Sequence, residues 1–353
     1  MTSIASCNLV PIGELKNVNE LNKYYYFKHI KTITSLNRDK DGIILSDEII
    51  EHATDSPEKN TFSILIEDNI TKKQENEKDE DIQKESLKIE EFKVPDQNIN
   101  LFEDIDEYAY KLNELDISNI ISKLNSIKYK LNTVDFMIFS KTLMRFMDAP
   151  YVKHPWKFKV NKFGQTIYVY NEDDTYLTKE QQKYCYSTNK FKYMCKQNPT
   201  GNEYNIITYT KLNKHKIILC SRIDCVHSNG SYIQVKTTKE LANIKLEKGF
   251  VKSKLIKYWL LSKLSKIDLT IVAFRNDNGD IKGIATLRTG KMEDFVQKPY
   301  IWSSKICFNF ADQILNMLQN NVNDWDDYYI SYEHPFEKVK LYTCSTIHLH
   351  RKI

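Results

Sequence analysis

The chain has 353 residues, of which 41% are hydrophobic, 28% are charged and 12% are aromatic, and its formal net charge is +4. This composition is that of an ordinary globular protein with a sizeable core, built as one large domain or two small ones. With so small a net charge, the overall field of the protein barely favours nucleic acid. A local basic patch would have to do so instead.

The cysteine pattern does not predict a disulfide framework or a zinc site, because the count is odd and no two cysteines have CxxC spacing. No signal peptide is visible in residues 1–10, so we expect reduced thiols in the cytoplasm or nucleus. No apolar run approaches the roughly 20 residues needed to cross a bilayer. The seven cysteines are Cys7, Cys185, Cys195, Cys220, Cys225, Cys307 and Cys344.

The N-terminal third contains a charge-rich interruption. Residues 1–65 mix short apolar runs with turn residues, and the aromatic run at 24–27 predicts a strand or a sheet edge. Residues 71–81 contain no apolar side chain, so this stretch cannot offset its own ordering entropy. We therefore predict a disordered charged insertion at 66–97 within a single domain that spans 1–353.

The central third alternates between helical and extended patterns. Apolar residues recur at helical spacing from Ile117 to Leu131, which predicts one or two helices within 117–147. Residues 158–170 alternate around Gly164 and predict a hairpin. Residues 178–195 predict a helix with polar and aromatic sides.

The C-terminal half predicts strands at 204–209, 216–226, 231–236, 269–275 and 281–288, with a turn at 228–230 and helices at 251–265 and 306–318. Strands and helices that alternate in this way predict an α/β or α+β fold, in which helices flank a central mixed sheet.

One set of polar residues in this half matches the pattern of a catalytic site. Asp224 ends one predicted strand, and the next strand carries Gln234 and Lys236, whose side chains share a face because strands have a period of two. An acid followed by (Glu or Gln)-x-Lys is the layout of restriction-endonuclease-like nucleases, in which carboxylates hold a divalent metal and the lysine positions water. Many unrelated hairpins would match this short pattern by chance.

Longer stretches make the pattern specific. From about Phe136 to Gln319, the chain resembles the DXO family of decapping exoribonucleases, whose core is of the PD-(D/E)XK type. The stretches that carry the resemblance are Ala149-Pro150-Tyr151, Lys190 to Met194, Ile223-Asp224-Cys225, Val235 to Glu240, Lys254 to Ser262, Thr270 to Arg275, Lys291-Met292-Glu293 and Cys307 to Phe310.

The departures from the family pattern are informative. The resemblance implies that four acids of active members fall on Lys192, Arg222, Asp224 and Gln234, so that only one carboxylate remains. It also implies that a catalytic lysine falls on Lys236, a glutamine near the active site on Leu261, and an arginine that handles the RNA 5′ end on Ser140.

These replacements change the summed charge of the four acid positions from −4 to +1. Hard divalent ions need several anionic oxygens, and each unit charge about 4 Å from a cation matters by roughly 4 kcal/mol at an effective dielectric of 20. We therefore expect no metal or other cofactor and no catalysis, with Lys192 or Arg222 filling the vacated volume and pairing with Asp224.

Three functions stay open. The first is a catalytically inactive RNA-processing factor whose Lys192, Arg222 and Lys236 hold an RNA 5′ end. The second is an active metal-dependent decapping enzyme or 5′–3′ exoribonuclease with an altered site. The third is a protein–protein scaffold.

The pattern of lost acids is also similar to the Cutoff-type degenerate branch of the family. In the fly germline, that branch works with the chromodomain protein Rhino and the adaptor Deadlock at piRNA source loci, where it suppresses splicing, termination and decay of precursor transcripts. The similarity implies a nuclear protein with a Deadlock-like adaptor and a Rhino-type chromodomain complex as partners, with RNA 5′ ends as a further partner and no membrane association.

Overall fold

The computed structural model describes residues 9–16, 27–38, 44–45, 89–95, 99–105, 117–129, 131–171, 178–197, 199, 203–296, 301–324 and 326–344. The strands are β1 (Leu9–Lys16), β2 (Phe27–Arg38), β3 (Ile44–Leu45), β4 (Phe136–Phe139), β5 (Trp156–Phe163), β6 (Thr166–Tyr170), β7 (Glu203–Leu212), β8 (His215–Ile223), β9 (Cys225–Val226), β10 (Tyr232–Lys239), β11 (Ile267–Arg275), β12 (Ile281–Arg288), β13 (Tyr328–Tyr332) and β14 (Lys338–Cys344).

The α-helices are α1 (Ile117–Ser126), α2 (Ser140–Asp148), α3 (Lys179–Met194), α4 (Ile244–Phe250), α5 (Ile256–Leu264) and α6 (Ser304–Asn321). Short 3-10 turns occupy Leu131–Thr133 and Thr289–Phe295, and a π-helical turn at Val251–Leu255 joins α4 to α5.

The strands form two sheets. The larger has the order β1-β14-β13-β5-β6-β4-β8-β7-β2-β3, and it is mixed because β4 runs parallel to both β6 and β8. The smaller has the order β12-β11-β10-β9, with β10 and β11 parallel. The mixed fold with flanking helices is confirmed, but the predicted central sheet is divided in two. Asp224 lies at the junction, between the last residue of β8 and the first of β9.

The main core lies between the larger sheet and helices α2, α5 and α6. Helix α6 presents Phe310, Ile314 and Leu318 to this core at a spacing of four residues, and all three are fully buried. Trp259 of α5 packs against Trp302 with the ring centroids 5.4 Å apart. Helix α5 also packs against β11 of the smaller sheet.

The prediction of helices throughout 117–147 is wrong at 136–139, which form β4. This strand is hydrogen-bonded on both sides, to β6 and β8, and its first three residues are buried. A strand that is covered on both faces reads as a continuous apolar run and loses its period of two. The sequence pattern therefore does not distinguish these four residues from the helices on either side of them.

Two predictions fall mostly outside the described residues. Of the strand predicted at 24–27, only Phe27 is described, as the first residue of β2. Of the insertion predicted at 66–97, only 89–95 are described, and they lie against the body of the protein. Within the described ranges, no helix is both long and apolar enough to span a membrane.

Candidate functional site

Helix α3 supplies one wall of the candidate site. Its start is fixed by a capping box, in which the Thr178 hydroxyl accepts from the Gln181 amide at 3.2 Å and the Gln181 side chain accepts from the Thr178 amide at 2.8 Å. Three and four residues apart, helical side chains share a face. The residues of α3, and just beyond it, that line the wall are Asn189, Lys192, Tyr193 and Lys196.

The strands β7 and β8 supply the opposite wall, through Glu203, Arg222, Ile223 and Asp224. The two walls enclose an open cleft of about 220 Å³. The cleft lies at the junction of the two sheets because Asp224 follows β8 directly. Its lining is dominated by charged side chains and carries one largely exposed aromatic ring, that of Tyr193.

An ion pair lies at the inner end of the cleft. Lys192 Nζ is 2.7 Å from Asp224 Oδ1, and both side chains are largely buried, at 15% and 6% exposure. The other carboxylate oxygen of Asp224 accepts a hydrogen bond from the backbone amide of Val235, at 2.9 Å. The Asp224 carboxylate therefore has partners on both oxygens, one from α3 and one from β10.

The electrostatics of this pair favour the ionised carboxylate. Burial alone would raise the pKa of Asp224, but the cations of Lys192, Lys236 and Arg222 outweigh it and hold that pKa well below its usual range. Burial lowers the pKa of Lys192, and Asp224 opposes this effect. Each partner of the pair thus opposes the effect of burial on the pKa of the other.

A second ion pair lies at the outer end of the same cleft. Arg222 Nη1 is 2.7 Å from Glu203 Oε1, with side-chain exposures of 45% and 24%. Arg222 therefore pairs with Glu203 and does not replace Lys192 beside Asp224. Pairs this exposed contribute about 0–1 kcal/mol, whereas removing one partner of a buried pair costs about 3–5 kcal/mol.

A third pair joins Lys196 to Glu90, and both side chains are largely buried. Glu90 belongs to the segment 89–95, which runs past the end of α3 and β9. The Phe92 amide donates to the Val226 carbonyl at 2.7 Å, and the Lys93 amide donates to the Cys195 carbonyl at 2.8 Å. This segment thus holds Glu90 beside Lys196, which lines the cleft.

Gln234 and Lys236 of β10 lie behind the cleft. The Gln234 amide donates to the Ser262 hydroxyl at 3.1 Å and to the Thr270 hydroxyl at 3.5 Å, so it is committed to α5 and β11. Burial, together with the cations of Lys192, Arg222 and Lys141, lowers the pKa of Lys236 to about 7 against the opposing effect of Asp224. Lys236 is therefore close enough to sense the charges of the cleft.

The remaining two predicted site residues, Ser140 and Leu261, are set apart. Ser140 is buried at the start of α2, directly after β4, and Leu261 is half-buried against the main core. Neither is among the residues that line the cleft in the described part of the chain.

The donor set does not fit a hard divalent cation. Such an ion takes several anionic or carbonyl oxygens, but here the Asp224 carboxylate is already bonded to an ammonium and an amide. In the described ranges, no group of three or more His, Cys, Asp and Glu side chains is arranged to hold a metal ion.

Sequence reasoning missed Glu203, Glu90 and Lys196. A signal for Glu203 existed, because in the β7–β8 hairpin Arg222 pairs with Asn205, and Glu203 is two residues away on the same face. The Glu90–Lys196 contact joins residues more than a hundred positions apart, and no local pattern indicates it.

Known proteins resemble this chain in both sequence and fold. A profile described as RAI1 like PD-(D/E)XK nuclease matches residues 70–352. The decapping and exoribonuclease proteins of Xenopus laevis and Homo sapiens are 23% and 24% identical to this chain over 216 and 209 residues, which cover 53% and 51% of it. The matches cover 54% and 52% of those proteins, so the chain spans about half the length of these curated relatives.

Solved structures show the fold in full. The crystal structure of S. pombe Rai1 in complex with 3′-FADP matches with a TM-score of 0.70 at 17% identity, covering 94% of this chain and 99% of that one. That of Candida albicans Rai1 in complex with pU5-Mn2+ matches with a TM-score of 0.68 at 15% identity, covering 95% and 93%. The resemblance to decapping nucleases is thus confirmed at the level of the family, and the chain belongs to the RAI1-like PD-(D/E)XK nucleases.

Proposed function

We propose that this protein is a catalytically inactive member of its family that acts as an RNA-processing factor. The observation that carries the proposal is the 2.7 Å contact between the Lys192 ammonium and the Asp224 carboxylate. A tethered cation stands where a nuclease of this type needs a free carboxylate for its metal. Metal-dependent cleavage would require that buried pair to open and several absent acids to be replaced.

Three cationic side chains in and behind the cleft could bind a phosphate group. Arg222 is half-exposed, Lys192 lies on the facing wall, and Lys236 lies behind them. Cations arranged in this way attract the terminal phosphate of an RNA, to which the guanidinium can donate two hydrogen bonds. We propose that the protein holds an RNA 5′ end through these three residues and shields the transcript from decay.

The wider setting follows from the resemblance to the Cutoff-type branch. We propose that the protein acts in the nucleus on nascent transcripts, in particular piRNA precursors, which it protects from 5′-end decay, splicing and termination. Its partners would be a Deadlock-like adaptor and a Rhino-type chromodomain complex. The loss of acids at Lys192, Arg222 and Gln234 supports this proposal, because that branch is marked by a degenerate site.

An active decapping enzyme or 5′–3′ exoribonuclease is the alternative. It is favoured by the retained Asp224, which stays ionised, and by Lys236, whose pKa of about 7 suits a group that exchanges protons. The relatives named as decapping nucleases point the same way.

Hydrolysis assays separate the two. Purified protein is incubated with capped RNA and with 5′-monophosphorylated RNA in Mg²⁺ or Mn²⁺. We expect no turnover of either substrate. Turnover that disappears in Asp224→Ala would establish the active enzyme and overturn the proposal.

A further inference from the structure

The cations that line the cleft are already neutralised by carboxylates. Lys192 is paired with Asp224, Lys196 with Glu90 and Arg222 with Glu203. An incoming anion must therefore displace a carboxylate before it gains a full charge interaction. Which of the three pairs opens decides how the site works.

Burial identifies the pair that opens. The Lys192–Asp224 and Lys196–Glu90 pairs have side-chain exposures of 15% or less, so opening either would leave a buried charge without a partner. The Arg222–Glu203 pair is the most exposed of the three, and water can solvate both groups once they separate. Arg222 is thus the cation that an anion can reach at little cost.

We propose that Glu203 is a built-in competitor for a phosphate site at Arg222, which a phosphate monoester enters by taking the guanidinium from the Glu203 carboxylate. The proposal rests on the part of the proposed function in which the cleft holds an RNA 5′ end. Glu203 then sets the selectivity of the site, because any ligand must outcompete a carboxylate that is already in place.

The chemistry of the competition selects terminal phosphates. A phosphate monoester carries a charge of about −1.5 to −2 near pH 7, whereas the Glu203 carboxylate and an internal phosphodiester each carry one. A monoester also has three oxygens for the guanidinium fork and for the ammonium of Lys192 on the facing wall. An internal phosphodiester gains nothing in charge over Glu203, so the carboxylate excludes the middle of an RNA chain more than its end.

The test measures binding in EDTA, so that no metal contributes. The probes are a short 5′-phosphorylated RNA, the same RNA with a 5′-hydroxyl, and inorganic phosphate. The test variant is Glu203→Gln, with Glu203→Ala as a second neutral variant. The matched control is Glu103→Gln, because Glu103 pairs with Lys190 outside the cleft and loses the same charge.

We expect Glu203→Gln to bind the 5′-phosphorylated RNA about three- to tenfold more tightly than wild type. We expect the affinity of Glu103→Gln to stay within about twofold of wild type.

Selectivity for the 5′-phosphate over the 5′-hydroxyl should fall in Arg222→Gln. It should be unchanged in Arg288→Gln, since Arg288 is an exposed arginine on β12. A gain with RNA beyond that with inorganic phosphate assigns the site to RNA ends, and an equal gain assigns it to the phosphate group alone.

The proposal is overturned if both neutral variants at Glu203 match Glu103→Gln, or if Glu203→Gln leaves the preference for the 5′-phosphorylated RNA over the 5′-hydroxyl RNA unchanged or raises it. Failure of the proposed function looks different, because it requires metal-dependent RNA turnover by the wild-type protein. A protein that does not cleave RNA and whose binding ignores Glu203 would refute the competition and leave catalytic inactivity standing.

Discussion

Two of the three ion pairs of the cleft have the same length and opposite surroundings. Lys192–Asp224 and Arg222–Glu203 both have nitrogen–oxygen distances of 2.7 Å, but the first is buried at the inner end and the second is half-exposed at the outer end. Distance alone would rank them as equal. Burial makes the inner pair a fixed part of the structure and the outer pair an exchangeable one.

Removing the cation of the inner pair should have the largest effect on stability. Lys192→Met leaves the Asp224 carboxylate buried with one hydrogen bond and without the cation in direct contact with it. We therefore expect a loss of about 3–5 kcal/mol at pH 7, measured by urea unfolding. The loss should shrink as the pH falls below about 4, because the unfolded carboxyl then takes up a proton. Adding Asp224→Asn to the same chain should recover much of the stability.

The matched control for that experiment is Lys190→Met. Lys190 lies two residues earlier on α3 and pairs with the exposed side chain of Glu103 at 3.5 Å. Its loss should cost less than about 1 kcal/mol. Equal losses in the two variants would contradict the distinction between buried and exposed pairs.

The pH dependence of stability tests the lowered pKa of Lys236. Burial depresses its pKa to about 7, so between pH 7 and 10 the unfolded chain binds more protons at this residue than the folded chain does. Wild-type stability should therefore rise by roughly 2 kcal/mol from pH 7 to pH 9 relative to Lys236→Met. Parallel pH profiles for the two proteins would show that Lys236 titrates normally.

The outer pair should give the smallest effect. Arg222→Gln and Glu203→Gln each remove one partner of a half-exposed pair, and we expect each to change stability by less than about 1 kcal/mol. Raising the salt concentration should reduce this difference further, because exposed charges are screened. A loss as large as that of Lys192→Met would show that the outer pair is also fixed.

The sequence predicts local features of this molecule better than long-range ones. The β5–β6 hairpin follows from alternation around Gly164, whose φ of 61° suits a residue without a side chain. The start of α3 follows from Thr178 and Gln181, whose spacing is that of a capping box. The sequence did not predict strand β4, because this strand is apolar on both faces. It did not predict the division into two sheets either, because strand order depends on distant pairings.

The same limit applies to the site. The placement of Asp224 after β8 and of Lys236 on β10 follows from sequence, as does a cation beside Asp224. Which cation pairs with Asp224 does not follow, because Lys192 and Arg222 were both candidates. The choice depends on the register of β7 against β8, which brings Glu203 to Arg222 and leaves Lys192 for Asp224.

A titration of the wild-type protein with Mn²⁺, followed by calorimetry, tests the central claim most directly. Because the Lys192 ammonium already neutralises the Asp224 carboxylate, we predict no binding heat up to millimolar metal. The triple variant Lys192→Glu, Arg222→Glu and Gln234→Glu places acids at the three positions where the resemblance implies them, and it should bind the ion. A micromolar Mn²⁺ site in the wild-type protein that is lost in Asp224→Ala would contradict the account.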